Sequence, residues 1–129
     1  MSRKPRGRKR GHKTRPALVR ASENVVITKI AQQGDGEALL AEGTRVFVPL
    51  TLPGDEISVQ PGGKRGDGLS GSVLEYQKQQ SRSEPICGVY GKCGGCQLQH
   101  LPAEDYTAWK IQSVKTALSR HGFDLELRP

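Results

Sequence analysis

Three cysteines, Cys87, Cys93 and Cys96, stand within a stretch of ten residues, and no other cysteine occurs among the 129 residues. Their spacing is C-x5-C-x2-C, with His100 four positions further on. A two-residue gap lets two thiolates approach one metal centre. Gly94 and Gly95 lie in that gap, where the lack of β-carbons lets backbone fold closely around an inorganic ligand and offer it N–H groups. An odd number of crowded cysteines reads as a metal or redox site in a reducing compartment rather than a disulfide scaffold. Two occupants compete. A [4Fe–4S] cluster takes four thiolates, so a fourth ligand would have to come from outside this sequence. Structural zinc accepts mixed Cys and His ligands, and Cys87, Cys93, Cys96 and His100 would complete a tetrahedral site. The spacing alone does not choose between them. It differs from the C-x3-C-x2-C pattern of radical-generating clusters, and that chemistry is set aside.

The surrounding elements must hold this segment. Residues 23–78 read as short strands separated by turns. Asn24–Ile30 is rich in β-branched residues, Gly34-Asp35-Gly36 supplies a turn, and Glu37–Ala41 is a second, weaker strand. Thr44–Val48 alternates, with Val46 and Val48 on one face and Arg45 and Phe47 on the other. Pro53-Gly54 marks a turn. Asp55–Gln60 puts Ile57 and Val59 on one face. Residues 61–68 read as a loop, and Leu69–Tyr76 as the last strand, with Leu69, Gly71, Val73 and Glu75 opposing Ser70, Ser72, Leu74 and Tyr76. Five short strands with glycine corners predict a mainly β fold, a small OB-like barrel of the oligonucleotide-binding type. A four-stranded sandwich would leave a similar pattern. Residues 79–101 form the cysteine-rich loop, and residues 102–122 predict one amphipathic helix whose apolar stripe is Tyr106, Trp109, Ile111, Val114, Ala117 and Leu118. Pro102 suits the helix start and Gly122 its end. Phe123, Leu125 and Leu127 begin a further apolar segment at 123–129, which leads us to expect a longer parent protein.

Composition speaks to the partner class separately from the fold. Apolar residues make up 34% of the chain and aromatic residues 5%, too little for one large core but enough for a small β module. The formal charge is +7, yet nine of the 20 Lys and Arg residues fall within residues 1–20 and none of the 13 Asp and Glu residues does. The remainder therefore carries a slight acidic excess. Residues 1–22 predict a disordered basic tail, with Arg8, Lys9 and Arg10 at its centre, suited to a polyanion. No apolar run reaches the roughly 18 residues that span a bilayer, and the amino terminus lacks the apolar stretch of a secretory signal.

The runs Pro85-Ile86-Cys87 and Cys93-Gly94-Gly95-Cys96-Gln97-Leu98-Gln99-His100-Leu101, followed by a helix with Tyr106 and Lys110, resemble the iron–sulfur region of bacterial RNA (uracil-5-)-methyltransferases. Upstream, the runs 27–31, Gly34-Asp35-Gly36, Val46–Pro49 and Leu52–Glu56 resemble the TRAM domain of the same enzymes, a small RNA-binding barrel. Together they are similar to the 23S ribosomal RNA branch, over residues 24 to about 123. The resemblance implies a cytoplasmic protein whose partner is RNA, ribosomal RNA in particular, with no DNA specificity. It implies that Cys87, Cys93 and Cys96 are three ligands of a [4Fe–4S] cluster whose fourth cysteine lies downstream. It also implies a further domain that binds S-adenosylmethionine, where a cysteine attacks C6 of uridine, C5 is methylated and a glutamate removes the C5 proton. This sequence has no glycine-rich strand–turn–helix loop for that cofactor, and its cysteines are all accounted for as cluster ligands, so it offers no catalytic residue.

On such a barrel, Lys29, Arg45, Phe47, Lys64 and Arg65 are the candidates for RNA contact. Phe47 opposes the apolar face of its strand and could stack a base; with the register reversed it would instead pack inward as an ordinary core residue. Lys64 and Arg65 sit among glycines that favour exposure. Tyr106 and Trp109 read as packing residues of the helix, and His100 as structural unless zinc recruits it.

Overall fold

The computed structural model describes residues 20–128, so the expectations placed on Arg8, Lys9 and Arg10 lie outside the described residues. Among the described residues, six strands and one helix follow in order: β1 (Glu23–Val26), β2 (Lys29–Ile30), β3 (Gly36–Leu39), β4 (Arg45–Val48), β5 (Glu56–Arg65), β6 (Gly68–Lys78) and α1 (Ala103–Ser119). The sheet order is β1-β5-β6-β4-β3-β2, with β4 and β6 parallel and every other neighbour antiparallel.

β1 and β2 are two halves of one run of chain, and they form the two outer strands. The first half pairs with β5 and the second with β3. Between them, Ile27 and Thr28 bridge the halves. Ile27 N–H donates to the Asp55 carbonyl and Thr28 N–H to that of Glu37, both at 2.9 Å. The sheet thereby curls on itself. Counting β1 and β2 as one strand gives the five-stranded arrangement of an OB-like barrel, as the strand count predicted.

Inside the curl, Val25, Ile27, Ala38, Leu40, Val46, Val48, Ile57 and Val59 form the core, with Leu69, Val73 and Tyr76 packed at its margin. Val46 and Val48 point inward from β4, as their alternation with Arg45 and Phe47 requires. A second small cluster of Leu52, Leu98 and Leu101 gathers Ile30, Tyr106 and Trp109, and it seats the cysteine segment and the helix against the barrel.

Three expectations need correcting. Residues 61–68 are mostly strand: β5 and β6 form a long hairpin that turns only at Gly66-Asp67. Pro61, Gly62 and Gly63 looked like loop residues, but an irregularity between Pro61 and Lys64 absorbs them without ending the strand. Second, Tyr76 faces the core beside Leu69 and Val73, although strict alternation places it opposite them. Ser58 pairs with Glu75 and Val59 with Val73, so Leu74 bulges and the side-chain phase shifts by one. Third, the helix buries less than its stripe implied. Tyr106 and Trp109 meet the barrel, whereas Val114 remains 48% exposed and no α1 residue is fully buried.

Candidate nucleic-acid interface and cysteine segment

Strand register builds a row of side chains across the outer face of the barrel. Lys29 pairs across the ladder with Glu37, Glu37 with Phe47, and Phe47 with Ser70. Cross-strand partners project to the same side of a sheet. Lys29, Glu37 and Phe47 therefore share the face opposite the core, which removes the alternative of Phe47 packing inward. Arg45, two residues before Phe47 on β4, lies on the same face. Arg65 arrives from the far end of β5, next to the hairpin turn.

These side chains interlock. The guanidinium of Arg45 lies 5.6 Å from the centroid of the Phe47 ring and that of Arg65 lies 5.7 Å from it, within the range of cation–π attraction. Each arginine is also held by carboxylates. Arg45 pairs with Asp67 in the hairpin turn and with Glu37 at 3.5 Å. Arg65 pairs with Asp35 in the turn before β3 and donates to Gln33 Oε1 at 2.9 Å. Lys29 adds a looser pair with Glu37 at 3.8 Å. The hydrogen bond from Arg45 holds the Asp67 carboxyl below the usual carboxylate range, and Asp67 raises Arg45 in return. Gly68 fixes the ring from below. A β-carbon there would collide with the Arg45 carbonyl oxygen and stand 3.0 Å from Phe47 Cε2, so only glycine lets β6 pass this close.

The sequence candidates Lys29, Arg45, Phe47 and Arg65 thus converge, while Lys64 does not. It pairs with Leu69 on the other side of the strand, is exposed, and has no ion-pair partner among the described residues. Sequence reasoning missed Asp35, Glu37 and Asp67, because acidic residues on a presumed RNA face attract no attention until their pairing is visible. The face occupies the second and third strands of the five-stranded order, flanked by the loop between the first two strands and the hairpin turn between the last two. Those are the strands and loops by which OB barrels bind oligonucleotides.

The cysteine segment is held differently. Residues 79–102 contain no helix or strand. Their anchor is a buried ion pair that the sequence did not reveal. Asp55 is fully buried; its Oδ2 accepts from Arg82 Nη2 at 2.5 Å and from Leu52 N–H at 2.8 Å, and its Oδ1 accepts from Gln80 N–H at 2.8 Å. Burial alone would raise the Asp55 pKa, but the hydrogen bonds from Arg82, Gln80 and Leu52 outweigh it and hold the carboxyl below its ordinary value. Arg82 also donates to the Leu50 carbonyl at 3.2 Å and lies 5.2 Å from the Tyr76 ring centroid. The Tyr76 hydroxyl donates to the same carbonyl at 2.9 Å. These contacts hold Leu50 at φ 63°, a region that non-glycine residues seldom enter.

A second tie is His100, 5% exposed, between the barrel and the cysteine turns. Its Nε2 lies 3.1 Å from the Thr51 carbonyl oxygen and its Nδ1 lies 2.5 Å from the Tyr90 hydroxyl. Burial pushes His100 below the ordinary histidine value, favouring the neutral ring. The Thr51 carbonyl can only accept, so Nε2 carries the hydrogen, and the Tyr90 hydroxyl shares its one hydrogen between Nδ1 and the Gln97 carbonyl at 2.8 Å. Both ring nitrogens are therefore engaged, which leaves the Cys₃His zinc arrangement without its histidine in this conformation. Gly34 at φ 92° completes the seat, since a β-carbon there would stand 2.8 Å from Gln97 Cβ.

Cys87, Cys93 and Cys96 are all free and exposed. They lie on turns shaped by Gly91 and Gly94, both at positive φ. Thiolates in this number and setting suit a thiophilic metal or an iron–sulfur cluster chemically. Among the described residues, however, no three His, Cys, Asp or Glu side chains stand close enough together to hold a metal ion. The donors are present but not gathered.

Among the described residues, no helix is long and apolar enough to cross a membrane. No family model matches the chain. It is 43% identical over 108 residues to an uncharacterised RNA methyltransferase of Caulobacter vibrioides, covering 83% of this chain and 25% of that protein. It is 37% identical over 105 residues to an uncharacterised RNA methyltransferase of Brucella suis, covering 81% of this chain and 24% of that one. A 34% match over 119 residues covers 92% of this chain and 25% of the 23S rRNA (uracil(1939)-C(5))-methyltransferase RlmD of Chromohalobacter salexigens. The chain's relatives are thus RNA methyltransferases, a 23S rRNA uracil-C5 methyltransferase among them, and it spans about a quarter of their length.

Proposed function

We propose that this chain is the RNA-binding and iron–sulfur portion of an S-adenosylmethionine-dependent RNA methyltransferase acting on C5 of a uridine in 23S ribosomal RNA. The observation that carries the reading is the convergence of Lys29, Arg45, Phe47 and Arg65 on the outer face of β3 and β4. It combines cations for phosphates with a rigid aromatic ring for a base, the two components that single-strand recognition needs. The barrel then serves as a TRAM-type module. The relatives supply the reaction class, and the methyl-transfer chemistry belongs to parts of such proteins that this chain does not match. Cys87, Cys93 and Cys96 contribute three thiolates to a [4Fe–4S] cluster, the fourth coming from elsewhere in the whole protein. The cluster acts as a clasp between the barrel and the region beyond α1, since methyl transfer needs no electron carrier. The basic segment with Arg8, Lys9 and Arg10 adds phosphate contacts.

Fluorescence anisotropy with an unstructured RNA tests the binding half. Each phosphate neutralised on a single strand contributes a slope of about −0.7 in log K against log salt, so five contacts mean a loss of roughly 10²-fold for a fourfold rise in salt. Removing residues 1–22 should flatten the slope without abolishing binding. An unchanged slope excludes the tail as a source of phosphate contacts, and no binding by the whole chain removes the RNA reading. For the cluster, anaerobic reconstitution of the whole protein should give brown material with iron and sulfide, and colourless protein with bound zinc would contradict it.

A further inference from the structure

The outer face carries three acidic partners for its two arginines, and this is the feature that an RNA-binding surface leaves unexplained. Arg45 is satisfied by Asp67 and Glu37, and Arg65 by Asp35 and Gln33. The carboxylates occupy the positions that phosphate oxygens would take on each guanidinium. They differ in burial: the side chains of Glu37 and Asp35 are 10% and 7% exposed, whereas that of Asp67 is 67% exposed. Glu37 and Asp35 are built into the sheet and its adjoining turn. Asp67 sits at the tip of a two-residue turn and is free to leave.

Resting on the RNA-binding reading above, we infer that this face takes unpaired RNA by an exchange of partners, in which a phosphate displaces Asp67 from Arg45 and a neighbouring base stacks on Phe47. Before binding, Asp67 neutralises Arg45 and holds its guanidinium against the ring. Once a phosphate takes over Arg45, the guanidinium swings toward the backbone and the ring is freed for a base. Glu37 and Asp35 stay in place, and Asp35 keeps Arg65 paired while Arg45 changes partner. Duplex RNA can offer the phosphate but not the base, because its bases are stacked and paired. The exchange therefore selects single strands, and the cost of displacing Asp67 is recovered only when both partners arrive together.

The test uses the full chain with a ten-nucleotide unstructured RNA and a ten-base-pair RNA duplex. Four variants separate the contributions. Asp67→Asn removes the competing carboxylate, and Glu75→Gln removes an equal charge at the other end of the β5–β6 hairpin, where Glu75 pairs with Ser58. Phe47→Leu removes the ring, and Phe47→Tyr keeps it as a check on folding. Asp67→Asn should tighten single-strand binding severalfold while Glu75→Gln leaves it near wild type. Phe47→Leu should weaken single-strand binding by about fivefold or more, leave duplex binding unchanged, and be rescued by Phe47→Tyr. Equal effects of Asp67→Asn and Glu75→Gln would overturn the exchange, as would a weaker Asp67→Asn complex or a Phe47→Leu loss shared by single strand and duplex. Failure of the wild-type chain to bind either RNA would instead overturn the underlying RNA-binding reading.

Discussion

The outer face of the barrel and the cysteine segment are both candidate sites, yet they are assembled in opposite ways. On the barrel, ladder pairing sets Lys29, Glu37 and Phe47 in one row before any side chain chooses a rotamer. Ion pairs then complete the arrangement without a ligand. In residues 87–96 the turns expose three thiols that no backbone ladder brings together. What is firm there is the attachment on either side, through Arg82 and His100. A sheet face is thus organised by folding alone, whereas a thiolate site can leave its final geometry to the inorganic group that binds it.

The two attachments give the largest effects by which this contrast can be broken. Asp55→Ala leaves Arg82 without its buried partner, and breaking such a pair typically costs about 3–5 kcal/mol. Urea denaturation should show a loss of that order, and a loss under about 1 kcal/mol would mean that the pair does not anchor the segment. The folded-state pKa of Asp55 lies below its ordinary value, so its stabilisation is present above about pH 4 and is lost as pH falls through the lower folded value. Next in size is His100→Ala, which strands the Thr51 carbonyl, leaves the Tyr90 hydroxyl with the Gln97 carbonyl alone, and should cost about 1–3 kcal/mol. His100 is also depressed, so its contribution is complete above about pH 6.5 and declines as pH drops toward its folded value. A denaturation midpoint that stays flat between about pH 7 and pH 5 in wild type, and equally flat in His100→Ala, would exclude it as the tie.

The smallest effect on stability sharpens the comparison most. Replacing Cys87, Cys93 and Cys96 together with serine should alter the stability of the chain by less than about 0.5 kcal/mol per site, because all three are exposed. The same change in the whole protein should abolish iron binding. A large loss of stability in the metal-free chain would show that the thiols already pack as part of the fold.

Much of the barrel was legible because alternation is a local signal. Val46 and Val48 against Arg45 and Phe47, and Ile57 with Val59, fix which side of each strand is buried. The hairpin through Pro61-Gly62-Gly63 was not legible, since those residues ordinarily end strands and only the pairing of Pro61 and Lys64 with β6 on either side carries the strand across them. Tyr76 was misplaced because a bulge at Leu74 resets the phase, and a bulge has no signature in one strand read alone. On the outer face, composition identified the cations and the ring, but the acidic partners depend on contacts between residues 22 positions apart, as with Arg45 and Asp67. The Asp55–Arg82 pair spans 27 positions and was invisible for the same reason.

RNA is expected to land on the outer face of β3 and β4. Backbone amide shifts in the full chain, followed during titration with an unstructured RNA, test this directly. The predicted result is a contiguous set of perturbations at Lys29, Glu37, Arg45, Phe47 and Arg65, extending into Gln33, Asp35 and Asp67. Perturbations confined to α1 or to the cysteine turns, with Phe47 and its neighbours unmoved at saturation, would contradict it.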